Sequence, residues 1–96
     1  MNTFALEKEP IITDLTIGDN AFVVHLADGR SLTIPYNWYP RLAYGTAAER
    51  QNWEVFGDGF AIHWSELDED LAIDGLLAGN RSAESGRSLE RWLRSR

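Results

Sequence analysis

Gly59-Phe60-Ala61-Ile62-His63-Trp64-Ser65-Glu66-Leu67-Asp68-Glu69-Asp70-Leu71 changes character halfway along. Its first half alternates large apolar residues with others, the period-two pattern of a half-buried strand. Its second half puts four acids into the five positions Glu66 to Asp70. Working back from it, Asn52 to Phe56 has the same alternation, and Gly57-Asp58-Gly59 between the two is turn material. The expectation is a hairpin with Trp53, Val55, Phe60, Ile62 and Trp64 on its buried face. His63 falls on the other face, with Glu54 and Ala61. Ser65 is placed to cap a helical turn through the Asp68 amide, and acids in a first turn favour a helix start.

Further upstream, Ile11–Ile17, Ala21–Leu26 and Ser31–Ile34 read as three strands, the last stopped by Pro35. Asp28-Gly29 suits a two-residue turn. A three-residue loop Gly18-Asp19-Asn20, with Asn20 in the left-handed region, then keeps the faces from mixing. That register puts Leu15, Ile17, Ala21, Val23, His25, Leu32 and Ile34 on one side. Between the two sets of strands, one or two helical turns are expected around residues 36–44. Thr46-Ala47-Ala48-Glu49 matches a capping box opening a short helix at 47–51. Downstream, Asp74 caps a turn over Gly75–Ala78, and Gly79 ends it. The fold class is α+β: a small antiparallel sheet built of a three-stranded meander and a second hairpin, with short helices on one face.

The 96 residues suffice for one domain with one core, and 44% apolar content with four Trp favours folding over disorder. Residues 1–80 form that domain, opening on a polar lead-in that ends at Pro10. After Asn80 the composition becomes Ser- and Gly-rich, and Leu89, Trp92 and Leu93 then recur at helical spacing. Residues 81–96 are therefore read as a linker and a basic amphipathic tail, with few contacts to the domain. Charge divides at the same place. Four Lys and Arg against thirteen acids give −9 over residues 1–80, whereas five Arg against two acids give +3 over 81–96. No apolar run is long enough for a membrane helix, and Met1-Asn2-Thr3-Phe4 lacks the start of a signal peptide. The cytoplasm is the expected location, with no membrane partner. With no cysteine, disulfides and thiolate metal sites are excluded.

No catalytic set emerges, and no cofactor or metal is expected. Counted from Asp68, a calcium loop would need an oxygen ligand at Ala72, glycine at Ile73 and glutamate at Gly79. A two-metal site would need Glu54 or Asp58 brought to the acidic run, and a zinc site would need both His25 and His63. His25 is better accounted for as a hydrogen-bonded core residue. Ser65 lacks a Gly-flanked elbow, and no phosphate-binding helix follows Gly57-Asp58-Gly59. The residues that suit contact with another macromolecule are Trp38, Tyr39, Glu66, Glu69 and Asp70. The nucleic-acid alternative rests on Arg87, Arg91, Arg94 and Arg96, although an acidic body opposes it. A small metal-dependent hydrolase is the third option.

Taken together, Asp28-Gly29-Arg30, Pro40-Arg41-Leu42, Glu49-Arg50 with Asn52-Trp53, Ile62-His63-Trp64, Leu67-Asp68-Glu69-Asp70-Leu71 and Gly75-Leu76-Leu77-Ala78-Gly79 resemble the bacterial "domain of unknown function 2442" family. The likeness runs over roughly residues 11–80. It implies an α+β domain with no established activity and no catalytic residues to carry over. Members resemble one half of a toxin–antitoxin pair in their gene arrangement. The resemblance therefore implies a non-enzymatic, antitoxin-like accessory role beside a small basic protein encoded nearby. A homo-oligomer is compatible with the same surfaces.

Overall fold

The computed structural model describes residues 10–96. The lead-in expected before Pro10 lies outside the described residues. The fold is α+β, with two three-stranded antiparallel sheets. Strands β1 (Ile12–Ile17), β2 (Ala21–Leu26) and β3 (Ser31–Pro35) form the first as a meander. Strands β4 (Trp53–Phe56), β5 (Ala61–Trp64) and β6 (Glu69–Ala72) form the second in the order β4-β5-β6. Between the sheets run a 3-10 turn (Tyr36–Trp38) and helices α1 (Pro40–Tyr44) and α2 (Ala47–Gln51). Helix α3 (Ile73–Leu77) follows β6, and α4 (Gly86–Arg94) closes the chain.

Both turns of the first sheet differ by one residue from expectation. Leu15 pairs with Val24 and Ile17 with Phe22, which leaves a two-residue Asp19-Asn20 loop closed by Gly18 N–H to Ala21 C=O at 2.9 Å. Val24 pairs with Leu32 and Phe22 with Ile34, so the Asp28-Gly29 turn carries three loop residues. Its Gly29 N–H donates to Leu26 C=O at 3.1 Å, and only Gly29, at φ 95°, is left-handed. This is the type I turn with a following bulge, the three-residue alternative open to Asp-Gly. Asn20 is not left-handed. The two shifts together turn β2 over. Phe22, Val24 and Leu26 are buried, and His25 stands on the other face, where its ring nitrogens bond Thr16 Oγ1 at 2.7 Å and Ser31 Oγ at 3.1 Å. The period of two makes a one-residue slip exchange every side chain of a strand. A bulge between Ile12 and Asp14 lets Ile12 join the same face as Leu15.

One core joins the two sheets. Trp64 and Phe22 are fully buried and meet edge to face with ring centroids 5.4 Å apart, while Tyr36 stacks on Phe22 at 5.9 Å. Such ring pairs add to area burial because positive edges meet negative faces. The Trp64 indole N–H donates to Arg50 C=O at 3.0 Å. Arg50 in turn donates to the C-terminal carbonyls of α1, Leu42 at 2.8 Å and Ala43 at 3.0 Å. A cation placed there satisfies orphan carbonyls and complements the helix dipole. The capping box is as expected: Glu49 N–H bonds Thr46 Oγ1 at 3.1 Å, and Thr46 N–H bonds Glu49 Oε1 at 2.9 Å. Gly79, at φ 77°, terminates α3, with Asn80 N–H bonding Gly75 C=O at 3.0 Å and Gly79 N–H bonding Leu76 C=O at 3.1 Å.

In the second hairpin Trp53 pairs with Trp64 and Glu54 with His63, which puts Trp53, Val55, Ile62 and Trp64 on one face and His63 with Glu54 on the other, as expected. Its loop runs from Gly57 to Phe60, however, and Phe60 has helical φ/ψ. The alternation is thereby broken, and Phe60 is 43% exposed instead of buried. The acidic run differs more. Ser65 to Asp68 is a turn, with Leu67 buried and Asp68 at φ 51°. Residues 69–72 return as β6, where a helical turn capped by Ser65 was expected. Leu67, Leu71 and Ile73 supply buried apolar positions every second or fourth residue, and burying them outweighs the weak preference of acids for a first turn.

Candidate functional site

Strand alternation divides the acidic run instead of gathering it. Glu66 is exposed on the turn, and its Oε1 accepts from Asn52 Nδ2 at 2.7 Å. Asp70 is exposed on the outer face of β6, where it pairs with His63 Nδ1 on β5. Glu69 faces the inner side, opposite Trp64, and is partly buried. Glu66, Glu69 and Asp70 thus have three different surroundings.

Glu69 belongs to a cleft of about 430 Å³. One wall is the run Asp68–Ala72, the other is Asn80–Glu84, and Tyr39, Arg41, Gly75 and Leu76 complete it. The far wall is fixed from below. The Tyr39 hydroxyl donates to Asn80 C=O, Ser82 N–H donates to Trp38 C=O at 3.0 Å, and Arg41 makes a fork to Glu84, Nε to Oε1 at 2.9 Å and Nη2 to Oε2 at 2.5 Å. Arg41 Nη1 also reaches Asp68 C=O at 3.1 Å. Residues 81–85, read from composition as linker, therefore carry several contacts to the body. Pairs between residues 43 apart, such as Arg41 with Glu84, leave no local signal in a sequence.

The electrostatics of the cleft turn on which acid Arg41 serves. Its hydrogen bonds hold the Glu84 carboxyl below the usual range, and the Ser88 hydroxyl adds another at 2.7 Å. Glu69 receives no side-chain donor among the described residues. Burial pushes its carboxyl up to about 7; nearby Arg41 opposes this, while the charges of Glu84 and Asp70 add to it. Burial, and then Glu69, also raise the Tyr39 phenol.

Tyr39 is only 5% exposed and its ring is part of the core, which corrects its reading as a surface contact. An aromatic in a small domain is needed inside, and its hydroxyl is satisfied at the cleft wall. Trp38 is partly buried, with the Arg81 guanidinium 4.6 Å over its ring. Of the tail arginines, Arg94 pairs with Glu90 one turn earlier, and Arg96 pairs with Glu49 at 2.6 Å while lying over Trp92. Arg87 and Arg91 are exposed and make no ion pair among the described residues. The described residues contain no group of three His, Asp or Glu arranged to hold a metal ion. No described helix is long and apolar enough to cross a membrane.

A family model described as "Protein of unknown function (DUF2442)" matches residues 12–82. A crystal structure of a protein of unknown function from Rhodospirillum rubrum is similar at 25% identity and TM-score 0.72, covering 80% of this chain and 95% of that one. A solution structure of an uncharacterised protein from Chromobacterium violaceum is similar at 20% identity and TM-score 0.66, covering 84% and 74%. The second likeness shows the fold alone. No curated protein matches the chain.

Proposed function

This chain belongs to the DUF2442 family, and from that premise we propose that it is a non-enzymatic interaction module that receives a basic protein partner at the cleft beside β6. The observation that supports this most is the state of Glu69. Arg41 is committed to Glu84 and Asp68, so the partly buried Glu69 carboxylate feels its charge but has no cation in ion-pair contact among the described residues. A Lys or Arg side chain of a partner would supply that cation and relieve the cost of charging the group. The partner's role would be that of the second protein in a bacterial, cytoplasmic, antitoxin-like pair, encoded beside this one. Glu66, Asp68 and Asp70 would steer the encounter as exposed charges, and Trp38 would supply apolar contact at the rim.

The test is co-expression with the small basic protein encoded alongside. Wild type should retain that protein and Glu69→Arg should lose it, with the melting temperature checked in parallel. Retention by Glu69→Arg at wild-type level would refute the reading. Affinity should also rise between pH 6 and pH 8, as Glu69 loses its proton among Arg41, Glu84, Asp70 and Tyr39. Arg87 and Arg91 favour a second reading, contact with nucleic-acid phosphates. A mobility shift that disappears in Arg87→Ala/Arg91→Ala would support it.

A further inference from the structure

Strand β6 is an edge of the second sheet, paired on one side by β5. The direction of its backbone groups follows from a single bond. Ile73 N–H donates to Phe60 C=O at 2.8 Å, so Phe60 and Ile73 are a hydrogen-bonded pair. Bonded and non-bonded pairs alternate along an antiparallel ladder. Leu71 with Ile62 and Glu69 with Trp64 are then also bonded pairs, and the intervening Asp70 and Ala72 turn their N–H and C=O groups away from β5. Ala72 is the N-cap of α3, so its C=O takes the first bond of that helix, whereas no backbone hydrogen bond from another segment reaches the Ala72 N–H or either backbone group of Asp70 among the described residues. Both line the cleft, and its opposite wall, Asn80–Glu84, is held off by the Tyr39, Trp38 and Arg41 contacts. An exposed edge of this kind is a template for another strand.

We propose that an extended, basic segment of a partner protein adds to β6 as the fourth strand of the second sheet, bonding the outward N–H and C=O of Asp70 and the N–H of Ala72. This rests on the function proposed above and specifies how the partner is held. The charges at the edge select the occupant. Asp68, Glu69, Asp70 and Glu84 line the cleft against Arg41 and Arg81, and both arginines are engaged, Arg41 with Glu84 and Asp68 and Arg81 over Trp38. A second copy adding its own β6 would bring Asp68, Glu69 and Asp70 against themselves, and like charges across a strand pair are destabilising. A segment alternating Lys or Arg with β-branched residues meets both requirements. One set of side chains reaches Glu69 on the inner face, and the backbone completes the ladder.

The experiment uses the full chain and three synthetic peptides: acetyl-Lys-Val-Lys-Val-Lys-Val-amide, the same peptide N-methylated at alternate backbone amides, and acetyl-Glu-Val-Glu-Val-Glu-Val-amide. The readout is amide hydrogen exchange by NMR at rising peptide concentration. The Lys-Val peptide should slow exchange at Asp70 and Ala72 by about tenfold or more at saturation. Leu71, already paired, should change little. The N-methylated peptide keeps the charge and loses the ladder, and should not protect these amides. Equal binding by the methylated peptide, without protection of Asp70 and Ala72, would overturn strand addition and leave the electrostatic reading standing. Equal binding by the Glu-Val peptide, or no binding by any peptide, would overturn the strand-addition proposal as well as its choice of a basic occupant. The variant Ala72→Pro supplies the converse. Proline is tolerated where an edge N–H points outward, and Ala72 lies at φ −87°. It should fold with an unchanged far-ultraviolet spectrum and bind the Lys-Val peptide at least threefold more weakly. Undiminished binding by that folded variant would count against the ladder.

Discussion

Glu69 and Asp70 are adjacent acids with different energetics. Asp70 is exposed and pairs with His63, whereas Glu69 is partly buried and has its carboxyl raised to about 7. The folded chain therefore holds this proton more tightly than the unfolded one, whose glutamate has the ordinary value near 4.5. By linkage, the contribution of Glu69 to stability is greatest below pH 4.5 and is lost as pH rises through about 7. Glu69→Gln should accordingly stabilise the fold at pH 8, by about 1 kcal/mol once partial solvent screening is allowed for. It should change little at pH 4. Urea melts at the two pH values check this, and an equal effect at both would contradict it. Glu84 has the opposite sign. Its carboxyl is held low by Arg41, so its contribution is present above the ordinary glutamate range and is lost on acidification.

Two apolar positions are as sharply defined. Trp64 is fully buried between the sheets, and Trp64→Ala should cost about 3–5 kcal/mol in chemical denaturation, enough to leave a small domain largely unfolded. A well-folded variant would mean that the two sheets do not share this core. Gly59 lies at φ 94°, and a Cβ there would stand 2.3 Å from Ile11 Cγ2. Gly59→Ala should lower stability by about 1–3 kcal/mol through backbone strain and the displaced Ile11, measurable as a lower thermal midpoint.

At the scale of elements, α4 is the unit whose attachment can be measured. Trp92 packs partly buried against the core, with Arg41 5.0 Å and Arg96 4.6 Å from its ring. Arg96 reaches Glu49 of α2, and Ser88 reaches Glu84. The Ser85 hydroxyl accepts from Ser88 N–H at 3.1 Å and caps the helix, which is too short to hold its shape alone. The family match ends at residue 82, before this helix begins. Deletion of residues 86–96 should therefore preserve cooperative unfolding and lower stability by about 1–2 kcal/mol, in line with the loss of one half-buried Trp and partly exposed ion pairs. An unchanged midpoint in urea would show that the helix does not dock in solution. Loss of cooperativity would show that it is integral to the core.

For the whole molecule the relevant quantity is the field. The −9 balance of residues 1–80 is set against +3 in 81–96, and Arg96 of the tail is paired across to Glu49 of the body. Association with a basic partner should slow as salt rises, since exposed charges are screened beyond about 10 Å at 0.1 M. In stopped-flow kinetics, Glu66→Gln/Asp70→Gln should lower the on-rate more than it raises the off-rate. Glu69→Gln should act chiefly on the off-rate, because its charge is desolvated in the complex. An on-rate insensitive to salt and to both sets of changes would remove electrostatics from the mechanism.

The sequence by itself determined the α+β class, the number of strands in the first sheet, the capping box at Thr46 and Glu49, the Gly79 terminator, the shared face of Trp53, Val55, Ile62 and Trp64 and the family. Each is written in residues that act on near neighbours, through side-chain period, cap chemistry or left-handed φ. The registers of the first sheet were not legible because Asp28-Gly29 serves both two- and three-residue loops. Only the common core, with Phe22 against Trp64, selects the face of β2 that is buried. Strand β6 was hidden because the acids at Glu66–Asp70 suit a helix start, and the preference for burying Leu67, Leu71 and Ile73 is expressed only against the rest of the fold. The cleft was least legible of all. Arg41 chooses Glu84 over Glu69 through a contact spanning 43 residues, and with that choice Glu69 makes no ion pair among the described residues. Tertiary structure decided it because the energy of a charge depends on what surrounds it in space, which residue order does not specify.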